Sequence, residues 1–213
     1  MEEKLNLEKN KELALEYMVQ NIYSNAQLEG CKITLEQTKA VLENTSLAEE
    51  ISLEDRTLIL NLKAAWKYVL SSESTSPSLD NLLELNHYIS RNRSINAGSI
   101  RTGRIEIAGT GYYPELIAEA EVVEELYDIL KIVDTRQRAI SFFTWACLAY
   151  PFWADNISTA NVYANKLLLQ NGDGIFLVKD DKMQEFQALL TKYYETGEEQ
   201  ELTMFIDKNC IIK

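Results

Sequence analysis

Apolar residues recur at helical spacing along nearly the whole chain, and very little interrupts them. Leu58, Leu62, Ala65 and Val69 fall on one helical face. Leu15, Met18, Val19, Ile22 and Ala26 form an earlier stripe, and Val122, Val123, Leu126, Ile129, Leu130 and Val133 a later one. Residues 136–149 begin charged and then turn almost wholly apolar, the pattern of a central helix buried on several sides. Ala160, Ala164, Leu167, Leu168 and Asn171 continue after a short loop, and Gly172 and Gly174 end that helix. Met183, Phe186, Leu190 and Tyr193 mark a penultimate helix; Leu202, Phe205 and Ile206 mark a last one. Eight Gly and three Pro among 213 residues leave few tight turns, so the elements must be long.

Two segments break the helical pattern. SSESTSPSLD, residues 71–80, reads as a polar loop with Asp80 as N-cap of the next helix. GSIRTGRIEIAGTGYYP, residues 98–114, is the one convincing strand region: Arg104, Ile105, Glu106 and Ile107 alternate, and a Gly109–Gly111 turn follows. The expectation is a single all-α domain carrying a β-hairpin flap. Within it, 1–50 is an N-terminal helical region, 51–196 a core with the flap at 98–114, and 197–213 a C-terminal helix.

Charge and composition narrow the partners. The net charge of −12 repels a phosphate backbone and an acidic membrane surface, so neither nucleic acid nor membrane is expected as a partner. Cys31, Cys147 and Cys210 lie far apart, and His87 is the only histidine, which leaves no zinc-ligand spacing. Met1-Glu-Glu-Lys is not an apolar targeting segment, and no run is long enough to span a membrane. The default location is the cytoplasm.

The loop AYPFWADNISTA, residues 149–160, carries the functional question. Pro151 ends the buried helix because it has no N–H to donate. The next helix is expected to start near Ile157 or Ser158, with Asp155 or Asn156 as N-cap. The free N–H groups of its first turn and the helix dipole make this a place that can hold phosphate; the same residues can equally serve only to start the helix.

This loop resembles the motif of the Fic family of nucleotide-dependent protein modifiers, His-Pro-Phe-x-(Asp/Glu)-Gly-Asn-(Gly/Lys)-Arg. The aligned residues are Tyr150, Pro151, Phe152, Trp153, Ala154, Asp155, Asn156, Ile157 and Ser158, with Thr159 and Ala160 continuing as in many members. Gly98-Ser-Ile-Arg-Thr-Gly-Arg-Ile-Glu-Ile-Ala-Gly109, followed by Tyr112-Tyr-Pro114, resembles the family's flap, which clamps the target chain. Ser24-Asn-Ala-Gln-Leu-Glu-Gly30 resembles its N-terminal inhibitory helix. The resemblance implies a Fic-like helical bundle, ATP and Mg²⁺ as co-substrates if the protein is active, and a protein target held through Arg101, Arg104, Ile105, Glu106 and Ile107. It implies a catalytic position at Tyr150, nucleotide contacts from Asp155, Asn156, Ser158, Thr159 and Asn161, and an inhibitory role for Glu29. Asp155 is the one carboxylate in the loop able to meet Mg²⁺.

The departures from the motif remove chemistry. Tyr150 replaces the base that would take a proton from the target hydroxyl, and an unperturbed Tyr, with a pKa of about 10, is a poor base near neutrality. Ala154 replaces the metal-binding acid. Ser158 replaces an arginine that grips phosphate, and Asn161 stands where many relatives carry a second one. With Asn161 there, Glu29 has no arginine to pair with. His87 does not match the motif and is expected to be solvated or packed. The pattern favours a catalytically weak or silent binding module, with Mg²⁺-dependent transfer of AMP, or of another nucleotide or phosphate-containing group, by a substituted site as the alternative.

Overall fold

Helix follows helix through the N-terminal third. The computed structural model describes residues 4–72 and 75–213; the Met1-Glu-Glu opening and two residues of the polar loop 71–80 lie outside the described residues. Helix α1 (Leu7–Glu16) and α2 (Met18–Leu28) are separated at Tyr17, so the expected continuous stripe breaks there and Leu15 faces solvent. Helix α3 (Leu35–Glu43) opens on a capping box, Thr34 accepting from the Gln37 N–H while Gln37 accepts from the Thr34 N–H. A 3₁₀ turn (Ser46–Glu50) leads to α4 (Leu53–Ser71), whose stripe Leu58, Leu62, Ala65 and Val69 is fully buried.

Helix α5 (Leu79–Ser90) is capped by Ser78, whose hydroxyl accepts from the Asn81 N–H at 3.3 Å. Asp80 is therefore not the N-cap; it lies inside the first turn, where its charge favours the helix dipole. Helix α6 (Glu119–Leu130) buries Val122, Leu126 and Ile129 and leaves Val123 exposed, while Val133 lies beyond the helix end and is also exposed.

Helices α7 (Thr135–Ala149) and α8 (Asn156–Leu169) form the centre and pack on each other more extensively than any other pair. All fourteen residues of α8 are buried. Around this pair lie α2, α4 and α5 on the α8 side and α6 and α10 (Gln200–Asn209) on the α7 side, with α9 (Asp180–Thr196) against α10. Strand β1 (Ile175–Phe176) pairs antiparallel with β2 (Ile211–Ile212), a sheet that periodicity did not anticipate because each strand is two residues long. Gly174 is required there: its φ is +86°, and a Cβ would lie 2.0 Å from the Ile212 carbonyl oxygen.

The expected hairpin at 98–114 is looser than a strand pair. Among the described residues it holds one isolated bridge, Ile107 to Tyr112, closed by the Ile107 N–H on the Tyr112 carbonyl at 2.9 Å. A second bridge joins Ile100 to Phe152 in the motif loop. The flap is thus stapled to the loop rather than paired along its own length. No helix among the described residues is long and apolar enough to cross a membrane.

A buried asparagine spine crosses the core. Asn25 donates to Asn161 Oδ1 at 3.0 Å and to Asn21, and Asn165 donates to the Asn161 and Phe176 carbonyls. Asn21 donates to the Phe176 carbonyl at 2.7 Å, and Phe176 N–H donates to Asn165. Apart from the Asn25 Oδ1, which has no partner, the buried amides thereby find partners that apolar packing alone would deny them. Through this spine α2, α8 and β1 are bound into one unit.

Candidate functional site

The motif loop, residues 150–155, is bent by two residues in the left-handed region. Tyr150 has φ +47° and Asp155 φ +55°, conformations uncommon for residues other than glycine. Surrounding groups hold the bend. Asn156 accepts from the Phe152 N–H at 2.8 Å and donates back to the Phe152 carbonyl at 2.9 Å. The Ala154 carbonyl takes bonds from Asn86 at 3.1 Å and from Ser90.

Arg101 supplies the other restraint. Its guanidinium is buried and donates to the carbonyls of Tyr150 (2.7 Å), Gly103, Pro114, Glu115 and Ala149. Its backbone N–H donates to the Pro151 carbonyl at 2.8 Å. This corrects the expectation that Arg101 presents itself to a target: its donors are spent on main-chain oxygens. Arg104 and Glu106 are exposed on the flap, while Ile105 is half-buried and Ile107 buried, so the expected alternation is present without a partner strand. Gly103 lets Trp153 approach; a Cβ there would meet the indole at 2.7 Å.

The expected nucleotide contacts converge on the N-terminus of α8 but do not open outward. Asp155, Asn156, Ser158, Thr159 and Asn161 are each less than 5 % exposed. Thr159 donates to the Asp155 carbonyl and accepts from Asn86, and Asn161 is bound into the asparagine spine. Helix α8 begins at Asn156, slightly earlier than expected, with Asp155 at the N-cap position. The Asp155 side chain does not cap; both of its oxygens accept from Arg93, at 3.0 to 3.2 Å. A Mg²⁺ ion at Asp155, the position expected for it, would have to share or displace this guanidinium. Among the described residues no cluster of three or more His, Cys, Asp and Glu side chains is placed to hold a metal.

Glu29 occupies the anion position at the helix start. It ends α2 and reaches across to accept the Ser158 N–H at 2.7 Å. It is partly buried rather than solvated, and it needs no arginine, because the free N–H of the first turn and the helix dipole replace one. Burial, reinforced by the nearby Asp155 carboxylate, pushes the Glu29 pKa up to about 7, against the pull of the Ser158 bond. Tyr150 moves further from use as a base near neutrality: burial and then Glu29 raise its pKa above the ordinary value, so even less phenolate is present to take a proton. His87 is exposed on α5 with Nδ1 against the Ala97 carbonyl at 3.3 Å.

Three residues of this site were not foreseen. Arg93 and Asn86 lie outside the motif segments that carry the resemblance, and Asn25 lies within one. A signal for Asn25 exists: Asn21 and Asn25, like Asn161 and Asn165, are polar residues four apart on otherwise apolar helical faces. Arg93, in the sequence Arg91-Asn-Arg-Ser94, has no such mark.

No family model matches the chain. It is 26% identical over 178 residues to protein adenylyltransferase fic-1 of Caenorhabditis elegans, a match covering 79% of this chain and 35% of that protein. Against protein adenylyltransferase Fic of Drosophila mojavensis the identity is 23% over 181 residues, covering 80% and 36%. The chain thus spans about a third of the length of these curated relatives. The structure of Fic-1 from C. elegans superposes with a TM-score of 0.75 at 22% identity, over 95% of this chain and 68% of that one. A Fic family protein from Desulfovibrio desulfuricans gives 0.74 at 14% identity, over 92% and 62%. A helical bundle of this topology, a Pro-Phe loop between its two central helices and a flap stapled to that loop agree with these likenesses, and the chain has the fold of the Fic proteins it superposes on.

Proposed function

We propose that this chain uses a Fic-type domain as a binding module whose nucleotide loop is closed by its own side chains, with AMP transfer weak or absent. One observation carries this: the Glu29 carboxylate sits on the Ser158 N–H, where a phosphate oxygen would have to bind. The other groups that a phosphate chain would need are also engaged. Asp155 is held by Arg93, Ser158 offers a hydroxyl where the family motif has a guanidinium, and Tyr150 gives up its proton less readily in the fold than in water. The residues present therefore do not fit Mg·ATP in this arrangement. The exposed flap edge at Arg104 and Glu106 is the surface through which a protein partner is proposed to bind.

The test uses the purified chain with Mg²⁺ and ATP labelled on the α-phosphate. The proposal expects no labelled protein and no rise in melting temperature as ATP increases. A bound ligand at about a hundred times its Kd would add about 2.7 kcal/mol of stability, which such a titration would register. Label transfer lost in Asn156→Ala would replace the binding-module reading with that of an active transferase.

A further inference from the structure

A groove of about 720 Å³ lies between the return segment of the flap, α6, the end of α7 and the end of α9. It contains none of the flap-edge residues 104–107 and none of the loop residues 150–161. Its floor is apolar and aromatic: Tyr112, Trp145, Leu148 and Tyr193 line it. Its rim is acidic, with Glu115, Glu121, Glu124, Glu125 and Glu199. Among the described residues no Lys or Arg lines it, and Lys131, on the same side as α6, is committed to Asp128 at 2.7 Å.

The walls are fixed in place. Tyr112 stacks on Tyr194 with centroids 5.6 Å apart and donates its hydroxyl to the Leu148 carbonyl. Tyr193 donates to the Thr144 carbonyl. Two rim carboxylates are also held: Glu121 accepts from the Ala118 N–H at 2.6 Å, and Glu199 accepts from the Thr144 hydroxyl at 2.9 Å. A groove with a rigid aromatic floor and one sign of charge around it favours a partner that offers aliphatic side chains and positive charge together.

We infer that this groove docks a basic segment of another protein, one in which Lys or Arg alternates with aliphatic residues. The aliphatic side chains lie on Trp145 and Leu148, and the cations meet the glutamate rim. The biological use of such docking rests on the binding-module proposal, but the groove is tested by peptide binding and the silent site by labelled ATP, so either can fail alone.

The probe is a short fluorescein-labelled peptide of alternating Lys and Leu, followed by anisotropy at physiological salt. An all-Lys peptide and a Glu/Leu peptide serve as comparisons. The triple variant Glu115→Lys, Glu124→Lys, Glu125→Lys is expected to weaken Lys/Leu binding by about tenfold or more, because each reversed rim charge turns an attraction into a repulsion. The control Glu8→Lys, Glu12→Lys, Glu36→Lys makes the same change in net charge on exposed helix positions elsewhere and is expected to weaken it by less than about twofold at that ionic strength. A photoreactive leucine in the peptide is expected to crosslink to Trp145 or Leu148. Equal weakening by both triple variants, all-Lys binding as tight as Lys/Leu, or crosslinks confined to residues 104–107 would overturn the inference. So would self-association of the chain abolished by the groove variant, which would make the occupant a second copy.

Discussion

Glu29 and Ser158 are 129 positions apart in the chain and share a 2.7 Å hydrogen bond, carboxylate to backbone N–H. The bond joins the end of α2 to the start of α8 and places a carboxyl group beside Asp155. A carboxyl group whose folded-state pKa lies above its unfolded value binds more protons folded than unfolded between the two values. Here that window runs from the ordinary Glu value of 4.5 to about 7, so stability is highest below it and falls as pH rises through it. Glu29→Gln keeps an acceptor for the Ser158 N–H and has no charge to bury. It should match the wild type near the acid end of the window and be more stable above pH 7, by about 2 kcal/mol at about 1.4 kcal/mol per pKa unit with allowance for its partial exposure. Urea unfolding at both ends checks this; a parallel pH dependence in the variant would remove Glu29 as its source.

In the Arg93–Asp155 pair the carboxylate is buried and the guanidinium half-buried, with side chains 2% and 14% exposed. Removing one partner of such a pair leaves an uncompensated charge, typically at a cost of about 3–5 kcal/mol. Asp155→Asn preserves the shape and suits the positive φ of this position, so it isolates the charge. It should destabilise the fold by about 3 kcal/mol, toward the low end because Arg93 keeps a weaker contact with Glu54. It should also lower the pKa of Glu29, whose second-largest upward influence is Asp155, and so narrow the pH window. Unfolding curves across pH for Asp155→Asn measure both effects at once.

Much of the architecture was legible in spacing alone. The stripes of α4, α8, α9 and α10 recur every three or four residues, and burial follows them closely. The Tyr17 break was not legible, since Leu15 and Met18 fit a continuous stripe. The two-residue strands at Ile175 and Ile211 carry no period at all. At the site, the loop and Glu29 were found through motif resemblance. Arg93 was invisible because its partner, Asp155, is 62 positions away and neither residue sits in a pattern that names the other. Arg101 lies in the segment expected, but its role differs from the one its charge suggests. Sequence shows a cation near a flap and not the ring of carbonyls that surrounds it.

That ring makes Arg101 a probe of the staple between flap and loop. Its planar fork reaches carbonyls in three directions, which a lysine ammonium on a single stem does not reproduce. Arg101→Lys should cost about 2–3 kcal/mol, the penalty for leaving buried carbonyls partly unpaired around a charged donor. The flap should loosen more than the bundle. Limited proteolysis is expected to cut within 103–113 faster in the variant while the helical core persists. Uniform loss of protection would mean that Arg101 supports the whole fold instead.

The Asn25–Asn161 hydrogen bond, at 3.0 Å, holds α2 to α8. The two N–H groups of the Asn25 amide are shared among three acceptors, the Asn21 carbonyl, Asn21 Oδ1 and Asn161 Oδ1, while its own Oδ1 has no partner. Asn25→Ala removes the donors but also the orphaned acceptor, so the loss should be modest, about 1–2 kcal/mol. Asn25→Asp is the sharper change. It deletes the donors and sets a buried carboxylate against the Asn21 and Asn161 oxygens. Its folded-state pKa is expected to rise, so the damage should grow as pH rises and reach about 3 kcal/mol or more at neutrality. Hydrogen exchange at the Ser158 N–H gives the functional readout. If the spine seats Glu29, exchange there should quicken in Asn25→Asp relative to Asn25→Ala by more than the global stability difference explains. Equal protection in the two variants, once corrected for stability, would separate the spine from the closing of the loop.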